Sequence, residues 1–257
     1  MNVKAKKHLG QHFLTDENIA KKIVEGLDFQ PYQYVLEVGP GTGVLTKYLL
    51  EKPTETYVAE IDTESIEYLK LHFQKLENKH FTGDFLKINL NDIFSGEVAI
   101  IGNFPYNISS QILFKIIENY QQIPEMVGMF QKEVAERTAA VPRTKDYGIL
   151  SVLVQAYYDV KYLFTVHENV FNPPPKVKSG VIKLTRNRKE GLEGNEILFK
   201  QIVKTGFGQR RKKLSNALKS LEIPEVLKSH AFMDKRAEEL SVEDFINFTQ
   251  EWKAAKN

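Results

Sequence analysis

The sequence predicts an α/β fold, in which a mostly parallel, doubly wound sheet is followed by a small all-α C-terminal domain. Short β-branched or apolar runs alternate with helical patterns between Tyr34 and Leu184, and such alternation is typical of parallel sheets. Beyond the polar segment 186–196 the hydrophobic spacing is helical. We therefore predict one domain over 1–187 and a second over 188–257.

Seven runs are predicted to be strands. The first five alternate with helices, and the last two flank a proline-rich loop at 172–180, which predicts a closing antiparallel hairpin. The predicted strands are 34–38, 56–61, 79–83, 98–102, 126–130, 156–164 and 181–184. The predicted helices include 65–76, 109–120, 197–205, 213–220, 224–227, 236–239 and 242–253.

The composition excludes several kinds of chemistry. The chain contains no cysteine, so disulfides, thiolate zinc sites, iron–sulfur clusters and cysteine nucleophiles are excluded. His8 and His12 have no carboxylate neighbour before Asp16, and we expect a solvated or ligand-facing arm there rather than a metal site. No apolar run approaches the roughly 20 residues of a membrane span, and the first residues do not resemble a signal peptide. We expect a cytoplasmic protein that binds neither metal nor membrane.

The positive charge is concentrated in three stretches. Residues 1–15, 169–189 and 204–219 contain 3, 6 and 6 Lys or Arg and no Asp or Glu, while the remainder carries a net charge of −13. Surfaces of a single sign attract polyanions through counterion release. The pattern favours a nucleic-acid partner, with merely solvated faces as the alternative.

A glycine-rich loop is the first candidate site. Gly39, Gly41 and Gly43 follow a predicted strand and precede a helix, and glycine allows the backbone to approach a ligand closely. Glu60 ends the next strand, where a carboxylate can accept both hydroxyls of a ribose. The G-x-G-x-G spacing suits S-adenosylmethionine better than NAD, although another nucleotide or an incidental turn stays open. Asp84 ends the third predicted strand and suits the cofactor's adenine amine, or simply a helix cap.

The tetrapeptide Asn103-Phe104-Pro105-Tyr106 follows the fourth predicted strand. The 6-amino nitrogen of adenine is a poor nucleophile because its lone pair is delocalised into the ring. Acceptors at the Asn103 side-chain oxygen and the Phe104 carbonyl would favour a pyramidal nitrogen with an available lone pair. Pro105 restricts Phe104 to extended backbone, and Tyr106 offers a face for a flipped base. An ordinary Asn-Pro turn is the alternative interpretation.

These motifs together resemble the KsgA (RsmA) family of ribosomal RNA adenine dimethyltransferases. The resemblance covers nearly the whole chain: KHLGQHFL (7–14), GPGTG, Glu60, Asp84, IGNFPYNISSQILFKI (101–116), MFQKEVAERTAA (129–140), YGILSVLVQAYYDV (147–160), VFNPPPKVKSGVIKL (170–184), GFGQRRKKLSNAL (206–218) and RAEELSVEDFINF (236–248). It implies a Rossmann-like class I methyltransferase domain with a seven-stranded sheet.

The resemblance also implies individual roles. The implied cofactor contacts are His12, Leu14, Gly39, Gly41, Glu60, Asp84 and Asn103. Phe171, ahead of three prolines, would be an exposed ring that sandwiches the target adenine opposite Tyr106, with a ring in the core as the alternative. Arg210, Arg211, Lys212 and Lys213 would bind RNA phosphates. Two positions depart from the family pattern, because His12 stands where many relatives have Asn and Phe104 where Leu is usual.

The resemblance implies a function and its partners. The chain would dimethylate N6 of two adjacent adenines in a hairpin near the 3′ end of small-subunit (16S) ribosomal RNA, acting as a monomer on immature 30S subunits and contributing to their biogenesis. Three alternatives were weighed. An Erm-type methyltransferase of large-subunit RNA shares the chemistry, a non-catalytic RNA-binding factor shares the fold, and a nucleotide-dependent oxidoreductase shares the glycine loop.

Overall fold

The computed structural model describes residues 3–256, and residues 1, 2 and 257, at the ends of the predicted domains, lie outside that part. In chain order the strands are β1 (Phe13–Leu14), β2 (Tyr34–Val38), β3 (Glu55–Ala59), β4 (Val98–Asn103), β5 (Glu125–Gln131), β6 (Tyr158–Val166), β7 (Phe171–Asn172) and β8 (Ser179–Arg186). The α-helices are α1 (Glu17–Val24), α2 (Thr46–Leu49), α3 (Thr63–His72), α4 (Ser109–Glu118), α5 (Lys132–Ala139), α6 (Ile149–Gln155), α7 (Glu196–Gly208), α8 (Leu214–Ala217) and α9 (Val242–Ala254).

The central sheet has the strand order β3-β2-β4-β5-β8-β6. Strands β2, β3, β4 and β5 run parallel, and β8 is antiparallel to β5. Between Val98 and Ile101 every residue of β4 is fully buried, as expected for a parallel strand that is covered on both faces. The predicted Rossmann-like α/β class is confirmed.

The sheet contains six strands among the described residues, whereas seven were predicted. The predicted strand at 79–83 forms only a single parallel bridge, between Phe81 and Val58 of β3. A 3₁₀ turn over Asn78–His80 immediately precedes it, and the buried His80 side chain accepts from the Glu77 amide at 2.9 Å. The local turn therefore replaces the expected strand pairing over the first half of that run.

A second, two-stranded sheet joins the N-terminal segment to the proline-rich loop. Strand β1 pairs antiparallel with β7, with Leu14 opposite Phe171. Both side chains are buried in one hydrophobic cluster that also contains Val24 of α1, Ile101 of β4 and Val127 of β5. The N-terminal segment is thus packed onto the same core as the central sheet.

The contacts divide the chain into two compact units. One comprises residues up to Glu136 together with Asp159–Arg186, and the other comprises Arg137–Tyr158 and the residues from Asn187 onward. The predicted division after residue 187 gives the segment 137–158 to the catalytic domain, whereas in the structure its contacts group it with the C-terminal residues. Within residues 3–256 no helix is long and apolar enough to cross a membrane.

The C-terminal unit is helical in its described part. The Tyr147 hydroxyl, buried beside α6, donates to the Leu240 carbonyl at 3.0 Å. Helix α9 begins with a capping box, in which Ser241 and Asp244 each bind the other's backbone amide. Three of the predicted helices are shorter than expected and form the four-residue α8 and two 3₁₀ turns, Glu225–Leu227 and Ala237–Glu239.

Candidate functional site

A pocket of about 890 Å³, counted with its open mouth, lies at the carboxyl ends of β2, β3 and β4, where open parallel sheets bind ligands. It is lined by residues from five separate parts of the sequence. The lining includes the expected residues His12, Gly39, Gly41, Glu60, Asp84, Asn103, Phe104, Pro105 and Tyr106. Residues up to 100 positions apart in the sequence, from His8 to Ile108, therefore share one cavity, as the alternating strand pattern predicts.

The glycine loop follows β2 and forms the floor of this pocket. Gly39, Gly41 and Gly43 adopt φ values of +70°, +55° and +80°, which L side chains rarely adopt. A Cβ on Gly41 would lie 2.7 Å from the ring of Phe13, and one on Gly43 would lie 2.4 Å from the ring of Phe73. The loop therefore requires glycine both for its backbone conformation and for space.

Glu60 follows β3 and binds the glycine loop. Its Oε1 accepts from the amides of Ile61 at 2.8 Å and Asp62 at 2.9 Å, and its Oε2 accepts from the Gly41 amide at 3.2 Å. Burial raises the pKa of Glu60 while these three amides lower it, and burial prevails. The carboxylate is 7% exposed and has a fixed orientation toward the pocket that it lines.

A second buried carboxylate lies behind the loop. Glu37 of β2 is 1% exposed, and its Oε2 accepts from the Thr46 hydroxyl at 2.6 Å. Burial raises the pKa of Glu37 to about 8, the Thr46 hydrogen bond opposes this rise, and the charge of Glu60 adds to it. Sequence reasoning missed Glu37, although an acidic residue within an apolar run that predicts a buried strand is uncommon and could have identified it.

Asp84 caps a turn and lines the pocket. Its Oδ1 accepts from the Leu86 amide at 3.0 Å. The apolar residues Ile61 and Phe85 also line the pocket, and Ile61 is 53% exposed. Sequence reasoning missed these apolar contacts, because a single apolar residue after a strand carries no distinctive pattern.

Asn103, the last residue of β4, has its amide group oriented by the N-terminal segment. The Asn103 Nδ2 donates to the His12 backbone carbonyl at 2.8 Å. This bond uses one N–H of the amide and leaves Oδ1 available as an acceptor in a residue that lines the pocket. Because the partner is a backbone atom, this contact does not depend on whether position 12 is His or Asn.

Phe104 fixes the backbone beside Asn103. Its ring is 1% exposed and packs on Phe130 with a centroid distance of 4.8 Å. A Cβ on Gly128 would lie 2.1 Å from the Phe104 ring, and one on Gly102 would lie 2.8 Å from it. Glycines on β4 and β5 thus make room for this side chain, while its backbone amide donates to the Met129 carbonyl at 3.1 Å.

Tyr106 is bound at its hydroxyl and covered on one face. The hydroxyl lies 2.6 Å from Ser179 Oγ, and the His12 ring stacks on the Tyr106 ring with a centroid distance of 5.5 Å and an interplanar angle of 27°. Burial raises the pKa of the Tyr106 phenol, against a smaller lowering by the Ser179 hydrogen bond. The His12 ring is itself bound, since its Nδ1 lies 2.8 Å from the Pro173 carbonyl.

The N-terminal segment is also attached beside Glu60, through Asp62. Asp62, the N-cap residue of α3, forms an ion pair with Lys6 and accepts from Gln11 Nε2 at 3.3 Å. Burial would raise the pKa of Asp62, but the hydrogen bonds from Lys6, Gln11 and Ser65 outweigh it and lower the pKa. Sequence reasoning missed this attachment, because the partners lie more than 50 residues apart.

Two expected site residues have buried side chains instead. Phe171 is 4% exposed and belongs to the core cluster, as does Leu14 at 3%, and neither lines the large pocket. The expectation of an exposed Phe171 ring at the pocket edge is wrong, because the β1–β7 pairing places the ring opposite Leu14 over the core. Leu14 instead borders a small cavity beneath the glycine loop, beside Glu37 and Gly39.

The basic segment 210–213 is divided by its contacts. The Arg210 guanidinium binds Glu238 at 2.6 Å and the Thr144 carbonyl at 3.0 Å, and Lys213 pairs with Asp234 at 2.9 Å. Arg211 and Lys212 are exposed and have no ion pair within 4.0 Å among the residues that the structure describes. Only these two present uncompensated charge.

No group of three or more His, Asp or Glu side chains that could hold a metal ion occurs between residues 3 and 256. His8 lines the large pocket, and His12 contacts Tyr106 and Pro173 as described.

Comparison with known proteins identifies extensive similarity. The family described as ribosomal RNA adenine dimethylase matches residues 2–254. Proteins named ribosomal RNA small subunit methyltransferase A are similar throughout: that of Flavobacterium johnsoniae is 59% identical, covering 98% of this chain and 97% of the relative, and that of Cytophaga hutchinsonii is 57% identical, covering 96% of both.

Solved structures share the architecture. A dimethyladenosine transferase from Plasmodium falciparum superposes with a TM-score of 0.83 at 26% identity, covering 95% of this chain and 98% of that one. The 23S rRNA methyltransferase ErmE superposes with a TM-score of 0.68 at 24% identity, covering 94% and 99%. At that identity the second match indicates a common fold only.

Proposed function

The chain belongs to the ribosomal RNA adenine dimethylase family, and on that premise we propose that it transfers methyl groups from S-adenosylmethionine to N6 of adenine in small-subunit ribosomal RNA. The product would be N6,N6-dimethyladenine at two adjacent positions of a hairpin near the 3′ end. The observation that carries this proposal is that Asn103 and Phe104, the two residues proposed as acceptors, line the same pocket as the glycine loop and Glu60.

The pocket fits S-adenosylmethionine in its chemistry. The glycine loop offers backbone without side chains, in conformations that only glycine readily adopts. Glu60 offers a buried acceptor for ribose hydroxyls, and Asp84 offers one for the adenine amine. Apolar Ile61 and Phe85 suit the faces of the adenine ring. When bound, this cofactor supplies an electrophilic methyl group on a positively charged sulfur.

The protein's contribution to the reaction is orientation. Asn103 Oδ1 and the Phe104 carbonyl accept the two N–H bonds of the target amine, which favours a pyramidal nitrogen with its lone pair directed at the methyl group. The His12 carbonyl holds the Asn103 amide in the required orientation. No general base is needed before attack, since the nitrogen can lose its proton to water after the methyl group arrives.

The target base must leave its helix to reach this pocket, and Tyr106 is the proposed stacking surface. The His12 ring covers one face of Tyr106 in this RNA-free structure. A base that stacks on that face displaces His12, whereas a base on the other face adds to the stack. Phe171, buried in the core opposite Leu14, is not part of this proposed stacking surface.

The proposed partner is the immature small subunit. The uncompensated charges of Arg211 and Lys212 suit phosphate contacts, and residues 188–257 form the proposed RNA-binding domain. We propose that the enzyme acts as a monomer in the cytoplasm, because its RNA substrate is assembled into ribosomes there, and that methylation accompanies subunit biogenesis.

Two alternatives differ from this proposal in measurable ways. An Erm-type enzyme would act on large-subunit RNA, but the named relatives at more than half identity act on the small subunit by their names. A non-catalytic assembly factor would not need the acceptor pair or the glycine loop, and both are complete here.

Methyl transfer to purified immature small subunits tests the proposal directly. Tritiated S-adenosylmethionine, followed by nucleoside mass spectrometry, is expected to yield dimethyladenosine at two adjacent positions of small-subunit RNA. Large subunits are the matched control, and label on them alone would favour the Erm-type activity. Binding of cofactor and subunits without any methyl transfer would favour the non-catalytic alternative.

A further inference from the structure

Tyr106 can stack on a base only if its ring plane is held, and most of what holds it comes from another part of the chain. The residue begins a short 3₁₀ turn, Tyr106–Ile108, that joins β4 to α4. Its side chain has two rotatable bonds that this turn does not fix. The one hydrogen bond at the far end of the ring joins the hydroxyl to Ser179 Oγ at 2.6 Å.

Ser179 is built into the sheet rather than into a loop. It is the first residue of β8, it is fully buried, and it lies opposite Gln131 of β5. The residue before it accepts from the Lys132 amide at 2.9 Å. A Cβ on Gly180, the residue after it, would lie 2.7 Å from the Ala135 Cβ and 2.9 Å from the Tyr162 ring, so neighbouring side chains pack directly against the backbone here.

The proposed acceptors, Asn103 and Phe104, and the residue that binds the Tyr106 hydroxyl, Ser179, are all positioned by the central sheet. Asn103 of β4 lies opposite Met129 of β5, and Met129 lies opposite Val181 of β8. The groups proposed to bind the amine lie at the end of β4, and the group that binds the Tyr106 hydroxyl lies on β8; these two strands flank β5 in one sheet. Movement of the Tyr106 hydroxyl relative to the acceptors would require loss of the Ser179 bond or distortion of the sheet.

We propose that Ser179 is a positioning residue for methyl transfer, which fixes the ring plane of Tyr106 so that a stacked adenine presents its amine to Asn103 and Phe104. This inference rests on the proposed function, because it assigns Ser179 a role in that reaction. The bond to Ser179 lies at the hydroxyl end of the ring and does not itself cover either face, and partial burial raises the pKa of the phenol.

A double-mutant cycle separates positioning from general packing. Ser179→Ala and Tyr106→Phe each remove the same hydrogen bond, from opposite sides, and keep the aromatic ring. We expect each variant to lower the single-turnover rate at saturating subunits and cofactor by about tenfold. The double variant is expected to show the same loss of about tenfold, whereas independent effects would multiply to about a hundredfold.

Binding measurements are the matched controls. Subunit affinity and S-adenosylmethionine affinity should stay within about twofold of wild type, since the bond orients the bound base rather than gripping the RNA. Ser179→Cys retains the size with a weaker hydrogen bond and should give an intermediate rate, which keeps the test available if the alanine variant unfolds. A wild-type rate in Ser179→Ala, or multiplicative losses in the double variant, would overturn the proposal.

One measurement of the Tyr106 ring requires neither RNA nor methyl transfer. With tyrosines labelled in their rings, and the Tyr106 signal identified by its loss in Tyr106→Phe, nuclear magnetic resonance relaxation reports how firmly the ring is held. We expect increased ring motion in Ser179→Ala, and an unchanged Tyr106 signal would refute the anchor. Absence of methyl transfer by wild-type protein would instead refute the proposed function, with the ring measurement still deciding the anchor.

Discussion

The pocket at the sheet edge and the basic segment 210–213 show opposite relations between sequence and site. In the pocket, residues predicted from separate motifs lie together, because the carboxyl ends of parallel strands meet at one edge. In the basic segment, four consecutive charges have different partners: Arg210 and Lys213 form ion pairs within their own unit, and Arg211 and Lys212 do not.

The difference lies in what fixes each side chain. A residue at the end of a strand is placed by backbone hydrogen bonds, and its position follows from the strand pattern. A long basic side chain can form an ion pair with any of several carboxylates that are distant in sequence. Arg210, for example, binds Glu238, which lies 28 residues away. The basic stretch 169–189 shows the same effect: two of its charges are already paired with distant carboxylates. Lys183 pairs with Asp28 at 2.7 Å and Arg186 pairs with Glu97 at 2.6 Å.

The largest expected effect is at the most strictly placed residue of the pocket. Asn103→Ala removes one of the two acceptors and should lower the methyl-transfer rate by about a hundred- to a thousandfold. Subunit affinity should be unchanged, because phosphate contacts are made elsewhere. Single-turnover kinetics beside a filter-binding assay measures both, and a near-normal rate would refute the account of nucleophile orientation.

Glu60→Ala tests the cofactor side of the same edge. Loss of a buried charged acceptor should weaken S-adenosylmethionine binding by about 2–4 kcal/mol, or roughly 30- to 1000-fold. Isothermal titration calorimetry on the RNA-free protein gives the value. Glu55→Ala is the control and should bind normally, because Glu55 is a partly exposed acid at the opposite end of β3, with its pKa lowered by Lys79. Equal affinities in both variants would remove Glu60 from the site.

Sequence predicted those parts of the site that backbone geometry controls. The run 34–38 matches β2, and the Asn103–Tyr106 motif follows β4 as expected. The predictions failed where a local turn or a pairing with a distant segment overrides the strand pattern. The His80 side chain stabilises a turn immediately before Phe81, so that the expected strand does not form there. Phe171 packs onto the core because β7 pairs with β1, and two-residue strands are too short to show a recognisable sequence pattern. The anchor Ser179 carries no local signal.

The buried carboxylate of Glu37, behind the glycine loop, predicts a pH dependence of stability. Since burial raises the pKa of Glu37 to about 8 from a usual 4.5, the folded protein keeps a proton that the unfolded chain has already lost between these values. The free energy of unfolding should therefore fall as pH rises from about 4.5 to about 8, by at most about 1.4 kcal/mol per pH unit. Glu37→Gln should flatten this fall in urea titrations at pH 5 and pH 8. Parallel curves for wild type and variant would show that Glu37 ionises normally.

The smallest expected effect concerns RNA binding by the basic segment 210–213. Two double variants of equal net charge test whether its paired and unpaired residues differ. Arg211→Gln with Lys212→Gln removes the two uncompensated charges, and should weaken subunit binding about tenfold at ~0.15 M salt and reduce the salt slope by about 1.5. Arg210→Gln with Lys213→Gln removes charges that already have carboxylate partners. This second variant should change the slope by less than about 0.5 and lower the unfolding midpoint, because Arg210 also binds the Thr144 carbonyl.

The two salt titrations separate three accounts of the basic segment. If the two variants differ in the salt dependence of subunit binding, the ion pairs of the free protein persist in the complex. The folded structure then determines which basic side chains contact RNA. Equal reductions would mean that phosphates outcompete Glu238 and Asp234 and that the linear sequence was the better guide. Unchanged slopes in both variants would make the whole segment a solvated face. Because the variants carry the same net charge, a difference between them cannot arise from long-range attraction alone.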